Sequence, residues 1–290
     1  MIEQVDNACR RLVCPLCNSL DVYSIGRLRY ASPVQFSSHV LRLSKVPELW
    51  KCHACLSWYS NNILPENIAA DLYARGVSSD RWSQEPVAAE KSKEIIELLS
   101  DTFDEGKCVL DIGCNTGAVL DLAKARGCLT AGVEFSTACH NQLRNKGHKY
   151  FTDLKEVDSK YDVIIAFDII EHIYNLPLFL EECNRTLSDK GMVLILTGDI
   201  NSLSARLCRS KWWYVNYPEH IVFPSKKYFH GITDFRVANW INTYASVNYK
   251  HPAHTVIRKF IQGIHQKNYT GLPSLGPDHV LVGLVKNNRY

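Results

Sequence analysis

The hydrophobic pattern divides this 290-residue chain into two dissimilar stretches. From Lys107 onward, short apolar runs of strand length, "CVLDI", "TAGVEF", "YDVIIAF" and "GMVLILT", alternate with stretches such as "AVLDLAKA" and "LPLFLEECNRTL" that have helical periodicity. This alternation predicts a parallel sheet with crossover helices, because parallel neighbours need a connection long enough to return to the same end of the sheet. Two later runs, "FRVANWINTYASV" and "DHVLVGLVKN", predict further strands, and "HTVIRKFIQGIHQ" between them reads as a helix. Upstream, "ENIAADLYARG" and "PVAAEKSKEIIELLSDTF" predict helices. The second opens at Pro86 and carries Ile95, Ile96, Leu98, Leu99 and Phe103 at helical spacing. The first 60 residues differ: they are rich in Cys, Ser and β-branched or aromatic residues, and contain no repeat. The expected organisation is an N-terminal module over 1–62, a helical linker over 63–106 packing on the core, and an α/β domain over 107–290. That domain carries insertions at about 200–230 and 250–278.

Composition narrows the class. A hydrophobic content of 46% suits a globular chain with a sizeable core. No apolar run approaches the roughly 18 to 20 residues of a spanning helix, and "MIEQVDNACRRLVC" has no apolar signal core, so the expected location is cytoplasmic. Eleven cysteines, an odd number without an export signal, favour reduced thiols or metal ligands over a disulfide framework. Charge is unevenly placed. The last ninety residues hold 12 Lys and Arg against only Glu219, Asp234 and Asp278, whereas residues 1–200 hold 21 against 27 acids. Clustered cations concentrate anionic ligands, so an anionic partner is expected on one side, with an ordinary solvated basic surface as the alternative.

The chemistry begins at "VLDIGCNTGAVLDLA", a strand, a tight glycine turn and a helix start. A dinucleotide fingerprint G-x-G-x-x-G starting at Gly113 would need glycine at 115 and near 118, where Asn115 and Ala118 stand; the G-K-[ST] of a P-loop is absent. What remains is D-x-G-x-x-x-G, Asp111 to Gly117, with a second acid, Glu134, at the end of the next strand. This pattern resembles the class I S-adenosylmethionine-dependent methyltransferases. The resemblance implies that Asp111, Gly113, Asn115 and Gly117 frame the cofactor and that Glu134, followed by Phe135, holds both ribose hydroxyls. A carboxylate suits a diol because it accepts two hydrogen bonds at once. Asn115 replaces the family's middle glycine, and Asn tolerates left-handed backbone. Asp153 in "FTDL" sits where the family's third-strand loop contacts the adenine. "YDVIIAFDIIEHI" resembles the fourth-strand motif, placing Asp168 on the cofactor side, and "LSDKGMVLILTGD" the fifth strand. The resemblance spans roughly residues 90–285. It implies a Rossmann-like, seven-stranded, mostly parallel sheet with helices on both faces.

"CPLC" and "CHAC" are two C-x-x-C knuckles, and four thiolates, Cys14, Cys17, Cys52 and Cys55, suit tetrahedral Zn²⁺. A redox pair is the alternative. Cys9 and His53 are read as spectators. The small zinc-ribbon-like module ahead of such a core resembles two groups: the zinc-ribbon methyltransferases of sugar and surface-glycan biosynthesis, including deoxysugar C-methyltransferases, and the zinc-containing ribosomal RNA methyltransferases. Deoxysugar enzymes usually carry a sizeable C-terminal domain, whereas here the last predicted strand ends near the C-terminus.

On the acceptor side, "KWWYVNYPEHIVFPS" follows the fifth strand, while Asp168, Glu171 and His172 follow the fourth. Methyl transfer to a hydroxyl needs alignment, a dry site and a proton acceptor. His220 is the expected general base, with Glu219 orienting it or the substrate. His172, in an "EH" pair at the start of the helix after strand four, is either a second candidate base or a structural hydrogen-bonding group. Trp212, Trp213, Tyr214 and Tyr217 are the expected apolar walls for an acceptor ring, at least two of them doubling as core. The reading is methyl transfer from S-adenosylmethionine to a hydroxyl of a small anionic acceptor, a nucleotide-linked sugar or glycan intermediate. RNA methylation, disfavoured by an N-terminal module with only seven basic against four acidic residues, and a non-catalytic zinc-stabilised binding protein are the alternatives.

Overall fold

The structure, a computed structural model, describes residues 2–28, 33–76, 92–97, 99–244, 261, 272 and 274–287. Five parallel strands form the core of the main sheet: β7 Cys108–Ile112, β8 Leu129–Val133, β9 Lys149–Phe151, β10 Tyr161–Phe167 and β11 Leu187–Gly198. Two further strands, β13 Phe235–Thr243 and β14 His279–Lys286, complete seven in the order β13-β14-β11-β10-β7-β8-β9. Only β14 runs against its neighbours. The central strands read as unbroken apolar runs because both faces are covered, as in a parallel sheet flanked by helices.

The crossover helices are α2 Ala118–Ala125, α3 Thr137–Asn145 and α4 Leu176–Thr186. Helix α4 starts where the sequence supplies a cap: Asn175 Oδ1 accepts from Leu178 N–H at 3.1 Å, and Pro177 occupies the first turn. Its inward residues Leu176, Phe179, Leu180 and Cys183 are buried. Residues 92–97 are helical and place Ile95 and Ile96 in the core.

The N-terminal part holds β1 Ile2–Val5, β2 Val22–Arg27, β3 Val34–Phe36, β4 His39–Leu43, β5 Glu48–Cys52, β6 Trp58–Asn61 and helix α1 Glu66–Arg75. One sheet has the order β1-β4-β3. The other, β12-β6-β5-β2, takes its edge from β12, Val222–Phe223, in the segment after β11. Val222 pairs with Tyr59 and Phe223 with Trp58. A two-residue strand offers no periodicity to read, so the sequence gives no warning of this exchange. The segment also carries helices α5 Leu203–Cys208 and α6 Lys226–His230. One apolar cluster joins the two parts, running from Cys14, Cys55 and Tyr59 through Trp212, Phe223 and Phe229 to Ile195 and Val282.

The helix expected in "HTVIRKFIQGIHQ" apart from Ile261, most of the 250–278 insertion, Leu98 and the part of "PVAAEKSKEIIELLSDTF" up to residue 91, and the "ASV" ending "FRVANWINTYASV" lie outside the described residues. Among the described residues no helix is long and apolar enough to cross a membrane.

Candidate functional site

The turn after β7 has the backbone its sequence predicts. Gly113, Asn115 and Gly117 have φ of 73°, 49° and 81°, all left-handed. A Cβ on Gly113 would lie 2.2 Å from Ile169 Cδ1, so both conformation and space require glycine there. Gly117 caps the start of α2. Asp111, in β7, is buried, and its carboxylate accepts no hydrogen bond from the described residues. Burial pushes its carboxyl well above the usual carboxylate range, and Glu134 adds to the effect. An orphaned buried acid beside a glycine turn fits a ligand that brings its own donor.

Glu134 follows β8 and is anchored at both oxygens: Oε2 accepts from Asn115 N–H at 2.8 Å and Oε1 from Ser136 N–H at 2.7 Å. Burial raises its carboxyl, and these two backbone donors oppose the rise. Each oxygen keeps a lone pair, so a diol can still be held bidentately. Phe135 is half exposed beside it. Asp153 spends Oδ1 capping a single 3-10 turn, accepting from Lys155 N–H at 2.9 Å. Asp168, at the end of β10, is left-handed at φ 52° and its side chain is 53% exposed.

A second cluster forms beyond β10 and β11. Residues 170–172 make one 3-10 turn, so His172 precedes α4 by a loop and does not start that helix. Glu171 is fully buried; it accepts from Tyr214 Oη–H, and from Thr197 Oγ1–H at 3.3 Å. Burial, reinforced by Asp168, pushes its carboxyl up to about 8. His220 is 7% exposed. Its Nδ1 lies 2.6 Å from Tyr214 O, an acceptor only, so Nδ1 carries the proton and Nε2 is the basic nitrogen. Nε2 faces Glu171 Oε1 at 4.0 Å. His172 crosses His220 edge-on at 4.8 Å between ring centres, and burial holds its imidazole below the usual value, hence neutral.

Several expected partners sit elsewhere. The Glu219 carboxylate is engaged on both oxygens: Oε1 accepts from Ser37 N–H at 2.8 Å and Oε2 from Asn216 Nδ2–H at 3.1 Å. Residues 217–219 form a turn, closed by His220 N–H donating to Asn216 O at 2.9 Å, and Glu171 is an acid that faces His220 Nε2. Of the four aromatics, Trp212, Tyr214 and Tyr217 are buried, and only Trp213 is partly exposed. Tyr217 Oη instead ties the segment to the N-terminal part, donating to Asn62 O at 2.7 Å.

The sequence reading missed His279 at the start of β14. Its Nδ1 is 3.0 Å from Asp278 Oδ1 and its Nε2 is 3.9 Å from Asp168 Oδ1. Asp278 also accepts from Trp213 Nε1–H at 2.7 Å. The available signal was that Asp278 is one of three acids in the last ninety residues and stands beside a histidine.

The four knuckle cysteines converge. Cys14 Sγ is 3.6 Å from Cys55 Sγ, Cys17 Sγ is 3.6 Å from Cys52 Sγ, and all four sulfurs lie within 4.8 Å of one another. A tetrahedral site with metal–sulfur bonds of about 2.3 Å has edges of roughly 3.8 Å, so the donor set fits Zn²⁺. His53 turns away and stacks on Tyr23 at 4.4 Å.

Strand order, the single reversed strand and the glycine turn define a Rossmann-like methyltransferase fold. The chain matches the family described as "Methyltransferase domain" over residues 82–234, more than half its length, and belongs to it. It is 28% identical over 101 residues to a ubiquinone biosynthesis O-methyltransferase of Bradyrhizobium diazoefficiens, covering 32% of this chain and 40% of that one. It is 27% identical over 135 residues to an (S)-coclaurine N-methyltransferase of Papaver somniferum, covering 42% and 37%. The chain thus spans about two fifths of the length of these relatives. Among solved structures, magnesium protoporphyrin IX methyltransferase from Synechocystis with bound SAH superposes with a TM-score of 0.53 at 14% identity, covering 77% of this chain and 100% of that one. That similarity concerns the fold.

Proposed function

We propose that the protein binds S-adenosylmethionine over the Gly113–Gly117 turn and methylates a hydroxyl of a small anionic acceptor, a nucleotide-linked sugar or glycan intermediate. The observation that carries this reading is the pairing of the two acids with a buried imidazole: Asp111 and Glu134 on the donor side, and His220 with its basic Nε2 beside Glu171 on the acceptor side. Asp111 supplies an acceptor for a donor group of the cofactor, Glu134 takes the ribose hydroxyls, and Phe135, Asp153 and Asp168 line the approach. When bound, the cofactor supplies an electrophilic sulfonium methyl. His220 Nε2 receives the proton of the acceptor hydroxyl, and Glu171 Oε1, 4.0 Å away, is the group that faces the imidazolium that results. His172, kept neutral, packs against the His220 ring and holds its plane. Burial of Tyr214, His220 and Glu171 keeps water from the reacting atoms. Trp213 is the wall against which an acceptor ring rests. Cys14, Cys17, Cys52 and Cys55 hold a structural Zn²⁺ that stiffens the N-terminal sheet.

The test is incubation with methyl-labelled S-adenosylmethionine and a panel of nucleotide sugars, glycan extract and RNA. Label in a nucleotide sugar or glycan supports the proposal. Label confined to RNA, or no cofactor binding by calorimetry, overturns it.

A further inference from the structure

A cleft separates the N-terminal sheet from the α5 segment. One lobe is walled by Tyr23, Ile25 and Lys51 on the sheet side, facing Arg206 and Arg209. The second lobe, about 590 Å³, continues past Ile25 and Arg209 to Lys211 and Leu272. The first lobe is smaller, about 200 Å³, and the second is within the range of small-molecule sites. We propose that this cleft binds the diphosphate of a nucleoside diphosphate-linked acceptor, with the nucleobase at the Tyr23 end. The inference rests on the reading of the acceptor as a phosphorylated small molecule, and gives it a place and a class.

Three observations converge. First, the cations come from opposite walls, Lys51 from β5 and Arg206 and Arg209 from the α5 segment, and no acid lines either lobe. Among the described residues, no salt bridge or side-chain hydrogen bond engages Lys51, Arg206 or Arg209. Like charges held together without an acid favour an anionic ligand, and two guanidinium forks match adjacent phosphate groups. Second, Arg209 has φ 49° and ψ −122°, a backbone that side chains with a Cβ rarely adopt. It is held there by Trp212 N–H donating to Arg209 O at 3.0 Å and by Ser210 packing so closely on β2 that a Cβ on Gly26 would lie 2.9 Å from Ser210 Oγ. Such a conformation persists only where the surroundings fix it. Third, Tyr23 is 38% exposed and stacked on His53, an aromatic platform beside the charges on which a flat base can lie.

The cleft and the acid and imidazole cluster are close along the chain. From Lys211, on its floor, the chain needs three residues to reach Tyr214, which donates to Glu171. Three residues span at most about 11 Å, so the segment that lines the cleft is the one that carries Tyr214 to Glu171.

The test is calorimetric titration of the full chain, saturated with S-adenosylhomocysteine, with UDP, GDP, dTDP, pyrophosphate and inorganic phosphate. At least one nucleoside diphosphate should bind more tightly than pyrophosphate. The Arg206→Glu, Arg209→Glu double variant should weaken that binding by roughly tenfold or more. Its S-adenosylhomocysteine affinity and thermal midpoint should match wild type, and the double lysine variant should retain part of the binding. Lys190→Glu, an exposed cation that lines neither lobe, should change nothing. Absence of any nucleoside diphosphate binding, binding unaffected by charge reversal at Arg206 and Arg209, or RNA binding lost in that variant while diphosphates are ignored would each overturn the proposal. Arginine-dependent diphosphate binding without methylation of any nucleotide sugar would support the cleft and overturn the acceptor reading, so the two fail separately.

Discussion

The donor side and the acceptor side of the site are built in opposite ways. The donor side is local: Glu134 is fixed by Ser136, two residues away, and by Asn115, nineteen away, on adjacent strands. The acceptor side is assembled from the ends of the chain. Glu219 accepts from Ser37, 182 residues off, Ser60 Oγ–H donates to His220 O across 160, and Asn7 Nδ2–H donates to Tyr217 Oη across 210. A local site survives as long as its strands and turn survive. An assembled one depends on every element that holds its parts in register, here including a sheet whose edge strand β12 is the acceptor segment itself. The cysteine cluster sits at the root of that sheet, so its contribution to function is positional.

The comparison makes its largest demand on His220. Replacing it with alanine should lower turnover by roughly 10² or more, as loss of a general base does, while S-adenosylmethionine affinity stays within error of wild type. Single-turnover rates and calorimetry on the same preparation check both halves of the statement. Equal loss of rate and donor affinity would show that the two sides are not separable.

A smaller loss is expected from Cys52→Ser. Cys52 ends β5, next to the β6 strand that pairs with β12. Removing one thiolate should release zinc, measurable by a colorimetric chelator, and cut turnover by roughly tenfold through displacement of the β12 segment. Donor affinity should hold, since among the described residues no hydrogen bond joins the Gly113–Gly117 turn to that sheet. Full turnover in a metal-free variant would show that the cluster has no positional role.

The same contrast explains what was legible in the sequence. The α/β alternation, the glycine turn and Asn115 in a left-handed conformation are encoded over a few consecutive residues, and periodicity and spacing suffice to read them. The convergence of four cysteines was likewise legible, because two C-x-x-C pairs have few other uses. The partners of the acceptor segment were not. That Glu219 turns to Ser37, that Glu171 is an acid facing His220, and that Asp278 with His279 borders Asp168 are tertiary facts joining segments with no sequence relation. For the aromatic run the sequence could say that at least two of the four belong to the core but not which: Trp212, Tyr214 and Tyr217 are buried at a junction between two sheets.

The smallest expected effect isolates that junction at one hydroxyl. Ser225 Oγ accepts from Tyr228 N–H at 3.0 Å, capping α6, and donates to Cys55 O; its own N–H donates to Ser57 Oγ at 3.0 Å. One side chain therefore both starts a helix after the acceptor segment and fastens that segment to the second cysteine knuckle. Ser225→Ala removes the cap and the Cys55 contact and leaves the backbone donor in place. The expected cost is about 1–2 kcal/mol in urea unfolding, the sum of a lost cap and one net hydrogen bond. Turnover should fall by less than roughly threefold, because β12 and Ser60 still hold His220, and donor affinity should not move. If turnover instead falls as far as in Cys52→Ser with zinc retained, the register of the acceptor segment is set by this hydroxyl and not by the metal cluster, and the dependence runs through Ser225 alone.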